Sequence, residues 1–504
     1  MTAWTIGRVR ASGEAYLREL GHARVLALRG RPAASPAKVR DRYAHELGRE
    51  ALDVVLEQAD LAGPDSPDAR SGRTLLGWLT ELEVERRCAP MDQWIADWIA
   101  RAQVRTADGQ TIPITEVGRV VARERNRAAR VQLDAARATL VERELLPTMR
   151  ERSARARDTV ESMAIGDSML EISARLTGAD VAALGTAARE ALARSTDAWR
   201  DSFGERLHRH SSIDIDEARP ADLAAAVSLA EFDGAFQPSM RPLMMRRSVA
   251  ELGLDPDGAG RLVIEPALAP GTPPVECVAV EVPHDVHVML GRDEGFDGHR
   301  RALSALGNAM RLIHVQEEAH FEHRWIGDCG ANEIAGLTMQ SVLLDAGWLT
   351  RYAGVTRGEA DTIVRRASLA ALYELRALLA AVIAHVDSVD AGLGVGAVAE
   401  LYVETVGKAI GVRPHPSDAV LRALPLLHPF ARLQAWQAAC VLRASIIERF
   451  DVDWYRNPQT GPWLVHHVLS PACGEVAGDV TRGAVGRDPS LSPCVVGLER
   501  LLSA

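Results

Sequence analysis

The ten residues from His314 to His323, His-Val-Gln-Glu-Glu-Ala-His-Phe-Glu-His, hold three imidazoles and three carboxylates. These are donor types that bind zinc and related ions. His320 and His323 are three apart and would share one face of a helix. With His314 and the carboxylate of Glu333 they make one candidate metal set. The preferred expectation is plainer: a polar loop that holds no ion. His284 and His287, in Pro-His-Asp-Val-His-Val, are also three apart. On a strand they point to opposite faces, which argues against joint ligation.

A helix must position these groups. Leu303, Leu306, Met310 and Ile313 recur at spacings of three and four and define an apolar face. Ser304 and Asn308 share a different face, with Arg311 one turn further on. Upstream, the runs Leu262 to Glu265, Cys277 to Val282 and Val286 to Leu290 are β-branched or alternating and bounded by proline-rich turns. They are expected to form a small antiparallel sheet.

Residues 301–333, RALSALGNAMRLIHVQEEAHFEHRWIGDCGANE, resemble the active-site helix and following loop of the zinc oligopeptidases of the thimet oligopeptidase and oligoendopeptidase family. The flanks carry the resemblance: CVAVEVPHDVHVML (Cys277 to Leu290), then Gly295, Asp297 and Arg300 to Leu303, and downstream FEHRWIGD (Phe321 to Asp328) and Asn332-Glu333. Weaker likeness extends over Ile112 to Arg137, Phe232 to Phe236, Leu252 to Glu265 and Asp453 to Leu464. The resemblance implies a mainly α, bilobed zincin-like fold with a small sheet beside the central helix and a deep cleft that admits short peptides. It implies one oligopeptidase-like domain over 1–504: a helical lobe to about 250, the site region with its sheet over about 255–350, and a second helical lobe over about 351–504.

The zinc chemistry of that family is missing. Where its H-E-x-x-H motif would stand, the chain has Ser304, Ala305, Leu306, Gly307 and Asn308. Neutral serine and asparagine are poor substitutes for imidazole, and Ala305 replaces the general-base glutamate. Glu333 falls where the third ligand would be and cannot hold an ion alone; without the metal the resemblance leaves it a candidate general acid or base, with Ser304, Asn308, Arg311 and Asp328 as polar cleft neighbours, the alternative being a purely structural hydrogen bond to Asn308 or Ser304. The family's intermediate-stabilising tyrosines would lie around Leu426 to Trp436, where this chain has none and instead offers His428 and Arg432 as cleft groups. No cofactor is expected. The reading is a zinc-free homologue repurposed for metal-independent chemistry on a small molecule or peptide-like substrate, for instance a tailoring step in bacterial biosynthesis. The alternatives are a pseudopeptidase that binds without cutting, and a metallopeptidase rebuilt on His314, His320, His323 and Glu333.

Composition is compatible with this. The 504 residues are 47% hydrophobic and 25% charged, with a formal net charge of −10. That balance gives no electrostatic footprint for nucleic acid. Arg150 to Arg157 alternates basic with small and acidic residues, as a solvated helix face does. The six cysteines are scattered without a C-x-x-C pair, which suits a reducing compartment. No cleavable leader pattern opens the chain, and the apolar run Leu369 to Val386 carries Glu374 and Arg376, so it reads as a buried helix and not a membrane span. A cytoplasmic protein is expected. Residues 36–62, 73–105, 115–163, 168–209 and 219–230 read as helical, Gly63 to Pro67 as a loop, and Pro471 to Ser492 as a surface loop before a short final helix.

Overall fold

The runs rich in Ala, Leu, Arg and Glu fold as helices, and their polar boundary residues cap them. In the computed structural model, which describes residues 4–62, 66–106, 108–269, 275–292, 295–418, 428–471 and 475–503, the first half of the chain forms α1 (Ile6–Leu28), α2 (Pro36–Tyr43), α3 (Arg49–Leu61), α4 (Pro67–Arg101), α5 (Ile114–Arg123), α6 (Arg127–Leu140), α7 (Leu146–Glu161), α8 (Met169–Thr177), α9 (Val181–Arg194), α10 (Thr196–Ser211), α11 (Pro220–Val227) and α12 (Arg241–Glu251). Ser35, Ser66, Asn126, Ser168 and Asp180 each accept a backbone N–H at a helix start, which is why these sites break the longer periodic runs. Gly63 to Asp65, within the expected loop, lie outside the described residues.

Three local expectations need correction. A hairpin of β1 (Gln103–Arg105) and β2 (Thr111–Pro113) ends the helical run before 105. The Pro471 to Ser492 segment contains a helix, Ala477–Val485. The sheet of β3 (Leu262–Pro266), β4 (Val275–Glu281) and β5 (Asp285–Leu290) is mixed. Its order is β3-β5-β4, with β4 antiparallel to β5 and β3 parallel to it. The β4–β5 hairpin puts β5 in the centre, so β3 pairs with the free edge of β5 in the other sense. Alternation shows that a strand has two faces, and it is silent on which neighbour each edge takes.

The second half comprises α13 (Gly295–Ile313), α14 (Cys329–Gln340), α15 (Arg357–Asp390), α16 (Val395–Ile410), α17 (His428–Phe450), α18 (Ala477–Val485) and α19 (Ser492–Ser503). Leu369 to Val386 falls inside α15. Among the described residues this one helix is long and apolar enough to cross a membrane, and most of its apolar stretch is buried within the protein. Among the described residues two large hydrophobic cores form, beside two small clusters. One gathers α1, α3, α4, the sheet, α13, α14 and α18; the other gathers α7, α9, α10, α16 and α19. Both draw on the early and the late chain. Helix α17 serves both, giving Ala438, Leu442 and Ile446 to the first core and Phe430, Leu433 and Cys440 to the second.

Helix α13 is buried nearly all round, more than a single apolar face would require. Near its start His299 donates from Nδ1 to the Gly295 carbonyl at 3.1 Å and packs edge-on against Phe236. Burial pushes the His299 imidazole down to about 4, against the lift of that hydrogen bond and with the help of Arg241. The unfolded chain binds this proton near 6.5 and the folded one does not, so stability is full above 6.5 and falls as the pH drops towards 4. Denaturation midpoints across that window should fall less steeply for His299→Gln than for the wild type. Parallel curves would show that His299 is not buried neutral.

Candidate functional site

Helices α13 and α14 cross with glycine on glycine. A Cβ on Gly307 would stand 2.3 Å from the Ala335 carbonyl oxygen and 2.7 Å from the Gly336 nitrogen. A Cβ on Gly336 would meet Asn308 Oδ1 and Ser304 Oγ at 2.8 Å each. Ser304 and Asn308 therefore face the backbone of α14 at the crossing. Asn308 Oδ1 is buried there without a hydrogen-bond partner. Arg311, one turn on, is buried, and its charge acts on Cys277 of β4.

Glu333 lies one turn before Gly336 on α14. Its partners come from α17, not from α13: His428 Nε2 is 3.5 Å from Oε1, and Arg432 Nε is 3.9 Å from Oε2. The Glu333 side chain is 31% exposed and that of His428 51%. The carboxylate thus faces the His428 ring and the Arg432 guanidinium, where the family resemblance would place a metal. Leu426 and Leu427, at the start of the stretch compared with the family's tyrosine segment, lie outside the described residues.

His428 opens onto a cavity of about 620 Å³ between α4, α7, α8 and the start of α14. Asp328 lines it and also caps α14, accepting from Ala331 N at 2.8 Å. Burial pushes the Asp328 carboxyl up, against backbone N–H groups and the Arg73 charge. Two further lining carboxyls shift the same way: Glu81 through burial and then Glu85, and Glu475 through burial and then Asp479. Cys329, on the same wall, is pushed up to about 12 by burial and by the Glu81, Asp328 and Glu333 charges. Carboxyls shifted upward can exchange protons nearer neutrality. Glu81 and Glu475 escaped sequence reasoning because each lies far along the chain from Glu333 and belongs to no motif.

The zinc that the resemblance implies does not fit these residues. Ser304 and Asn308 offer neutral oxygens, Glu333 is ion-paired, and among the described residues no group of three or more His, Cys, Asp and Glu converges as ligands. The rebuilt set is not brought together either. His314 is turned back to bond the Met310 carbonyl at 2.7 Å, and burial lowers its imidazole. His320 is exposed in a turn. Glu322 is drawn the other way, into the core against Arg10 and Ser71. His284 bonds Glu317, while His287 on β5 sits between Glu265 and Asp285, so that pair too is separate.

No family model matches the chain, and no curated protein matches it. Solved structures do. PZ peptidase A with an inhibitor is similar with a TM-score of 0.63 at 12% identity, covering 100% of this chain and 98% of that one. A protein assigned as an oligoendopeptidase F has a TM-score of 0.68 at 12% identity, with coverage of 100% and 98%. Metallocarboxypeptidase 1 of Trypanosoma cruzi has a TM-score of 0.60 at 11% identity, with coverage of 98% and 99%. From end to end, this chain has the mainly α, zincin-like oligopeptidase fold of these metallopeptidases.

Proposed function

We propose that the protein is a metal-independent enzyme that acts by proton transfer on a small molecule or peptide-like ligand held beside α14 and α17. His428 exchanges the proton, and Glu333 orients the ring and balances its charge. The observation that carries this reading is the Glu333–His428 pair at the mouth of the 620 Å³ cavity. A carboxylate on one ring nitrogen fixes the tautomer and stabilises the imidazolium, leaving the other nitrogen to serve the ligand. Arg432 adds a second cation beside Glu333, and the lining carboxyls Asp328, Glu81 and Glu475 supply proton-exchanging groups near His428. A biosynthetic tailoring step suits such a site, since it needs a shaped cavity and one acid–base group.

A second reading, binding without turnover, is favoured by the 3.5 Å separation of His428 and Glu333, which is long for a working hydrogen bond. One experiment separates the two. Chelator-dialysed protein is incubated with a peptide library and a panel of small esters and amides, and both bound and converted species are read by mass spectrometry. The enzyme reading expects conversion that survives the chelator and drops about a hundredfold in His428→Ala and in Glu333→Gln. Specific binding with no conversion would establish the second reading. Conversion abolished by the chelator and restored by zinc would sink both.

A further inference from the structure

A larger cavity, of about 1090 Å³, lies on the other side of α14, between α5, α11, α15, α17 and α19. Glu333, His428 and Arg432 are absent from its wall. Most of its lining is apolar, with Val121, Leu223, Leu337, Leu344, Val406 and Trp436 contributing from six different segments. Its charged groups divide into two kinds. Arg137 is paired with Asp134 and Asp418, Arg300 with Glu374 and Asp297, and Glu448 with Arg487. Arg443 and Arg500 line the same cavity, and among the described residues neither has a carboxylate partner. The Nε of Arg443 is shut off from solvent and makes no hydrogen bond. Beside Arg443 lie the neighbouring thiols of Cys440 and Cys494.

The buried Nε is closed to a ligand as it is to water, so a ligand would meet Arg443 through its Nη groups, which carry most of the guanidinium's N–H donors. The cavity's carboxylates Asp134, Asp418, Asp297, Glu374 and Glu448 are each held by an arginine, which leaves Arg443 and Arg500 as the lining charges without an opposite partner among the described residues. We propose that this cavity binds a hydrophobic carboxylic acid, its apolar body along the α5–α11–α17 walls and its carboxylate on Arg443, with Arg500 at the rim. Guanidinium and carboxylate match as a forked, charge-assisted pair, and the apolar body removes wall surface from water. The inference goes beyond the His428 site and does not depend on it.

The test is fluorescence titration of the full chain with dansylundecanoic acid, followed by displacement with lauric acid and with lauryl alcohol. Expected is saturable binding of one probe per chain, displaced by lauric acid about tenfold more effectively than by the alcohol. Arg443→Met should weaken lauric acid by about tenfold and leave the alcohol as in the wild type, while Arg443→Lys retains most of the preference. Ala444→Trp, which fills the cavity, should block the probe, and Glu333→Gln should leave it bound. Equal displacement by acid and alcohol, an unaltered acid affinity in Arg443→Met, probe binding that survives Ala444→Trp, or no saturable binding would each overturn the proposal.

Discussion

Gly307→Ala is expected to destabilise the protein by about 3 kcal/mol, at the upper end of what overpacking costs. The added methyl would stand 2.3 Å from the Ala335 oxygen and 2.5 Å from its carbonyl carbon. Both are main-chain atoms of α14 and cannot rotate away, so the helices must separate. This crossing joins two helices of the larger core, and densely packed interiors relax poorly. Gly336→Ala makes the informative contrast, because its methyl meets the side chains of Asn308 and Ser304 at 2.8 Å and a main-chain atom, the Ser304 oxygen, only at 3.0 Å. The side chains can turn and the main-chain contact is looser than at Gly307, so the loss should be smaller. Thermal and urea midpoints of the two variants check the order, and a Gly307→Ala protein as stable as the wild type would show that the helices do not approach so closely.

Arg10→Met should cost about 3 to 5 kcal/mol, as expected for stranding one partner of a buried ion pair. Glu322 has a fully buried side chain in the segment between α13 and α14. It accepts from Arg10 Nε at 2.9 Å and Nη2 at 2.6 Å, and from the Ser71 hydroxyl. Burial pushes the Glu322 carboxyl up, and these bonds outweigh that and hold it below the usual carboxylate range. Without Arg10 the group must stay charged in the core or take up a proton. The double variant Arg10→Met/Glu322→Leu should recover much of the loss, because replacing both members with apolar groups removes the desolvation penalty as well as the attraction. Urea denaturation of the two single variants and the double variant measures the coupling. Additive losses would show that the pair does not interact as described.

The ion pair also explains why the His314 to His323 run makes no metal site. By composition it is a fair candidate, with spacing suited to a helix. Its arrangement is set by partners more than 200 residues away: Glu322 is fixed to α1 and α4, which fixes the turn carrying His320. Local spacing can supply ligands, but convergence on one point is a property of packing.

Much of the fold was legible in the residues. Helical periodicity marked most of the helices, β-branched runs marked three strands, and capping residues explain where the runs break. At the positions that the resemblance compares with the ligand motif the residue types were equally plain: serine, alanine and asparagine are poor substitutes for histidine and glutamate. The β1–β2 hairpin and α18 were missed, since short elements with mixed composition give weak periodic signals; the longer α1 was not singled out either.

What the sequence by itself determined, then, is which segments can be helix or strand and which chemistries the side chains can and cannot perform, because both follow from local propensity and functional groups. Only the tertiary structure decided that β5 is central, that Glu333 meets His428 and Arg432, that Glu81 and Glu475 share a cavity with Asp328, and that Cys440 and Cys494 lie together beside an unpaired arginine. Those are contacts between distant segments, and they are selected by the burial of surface across the whole chain, which no local pattern encodes.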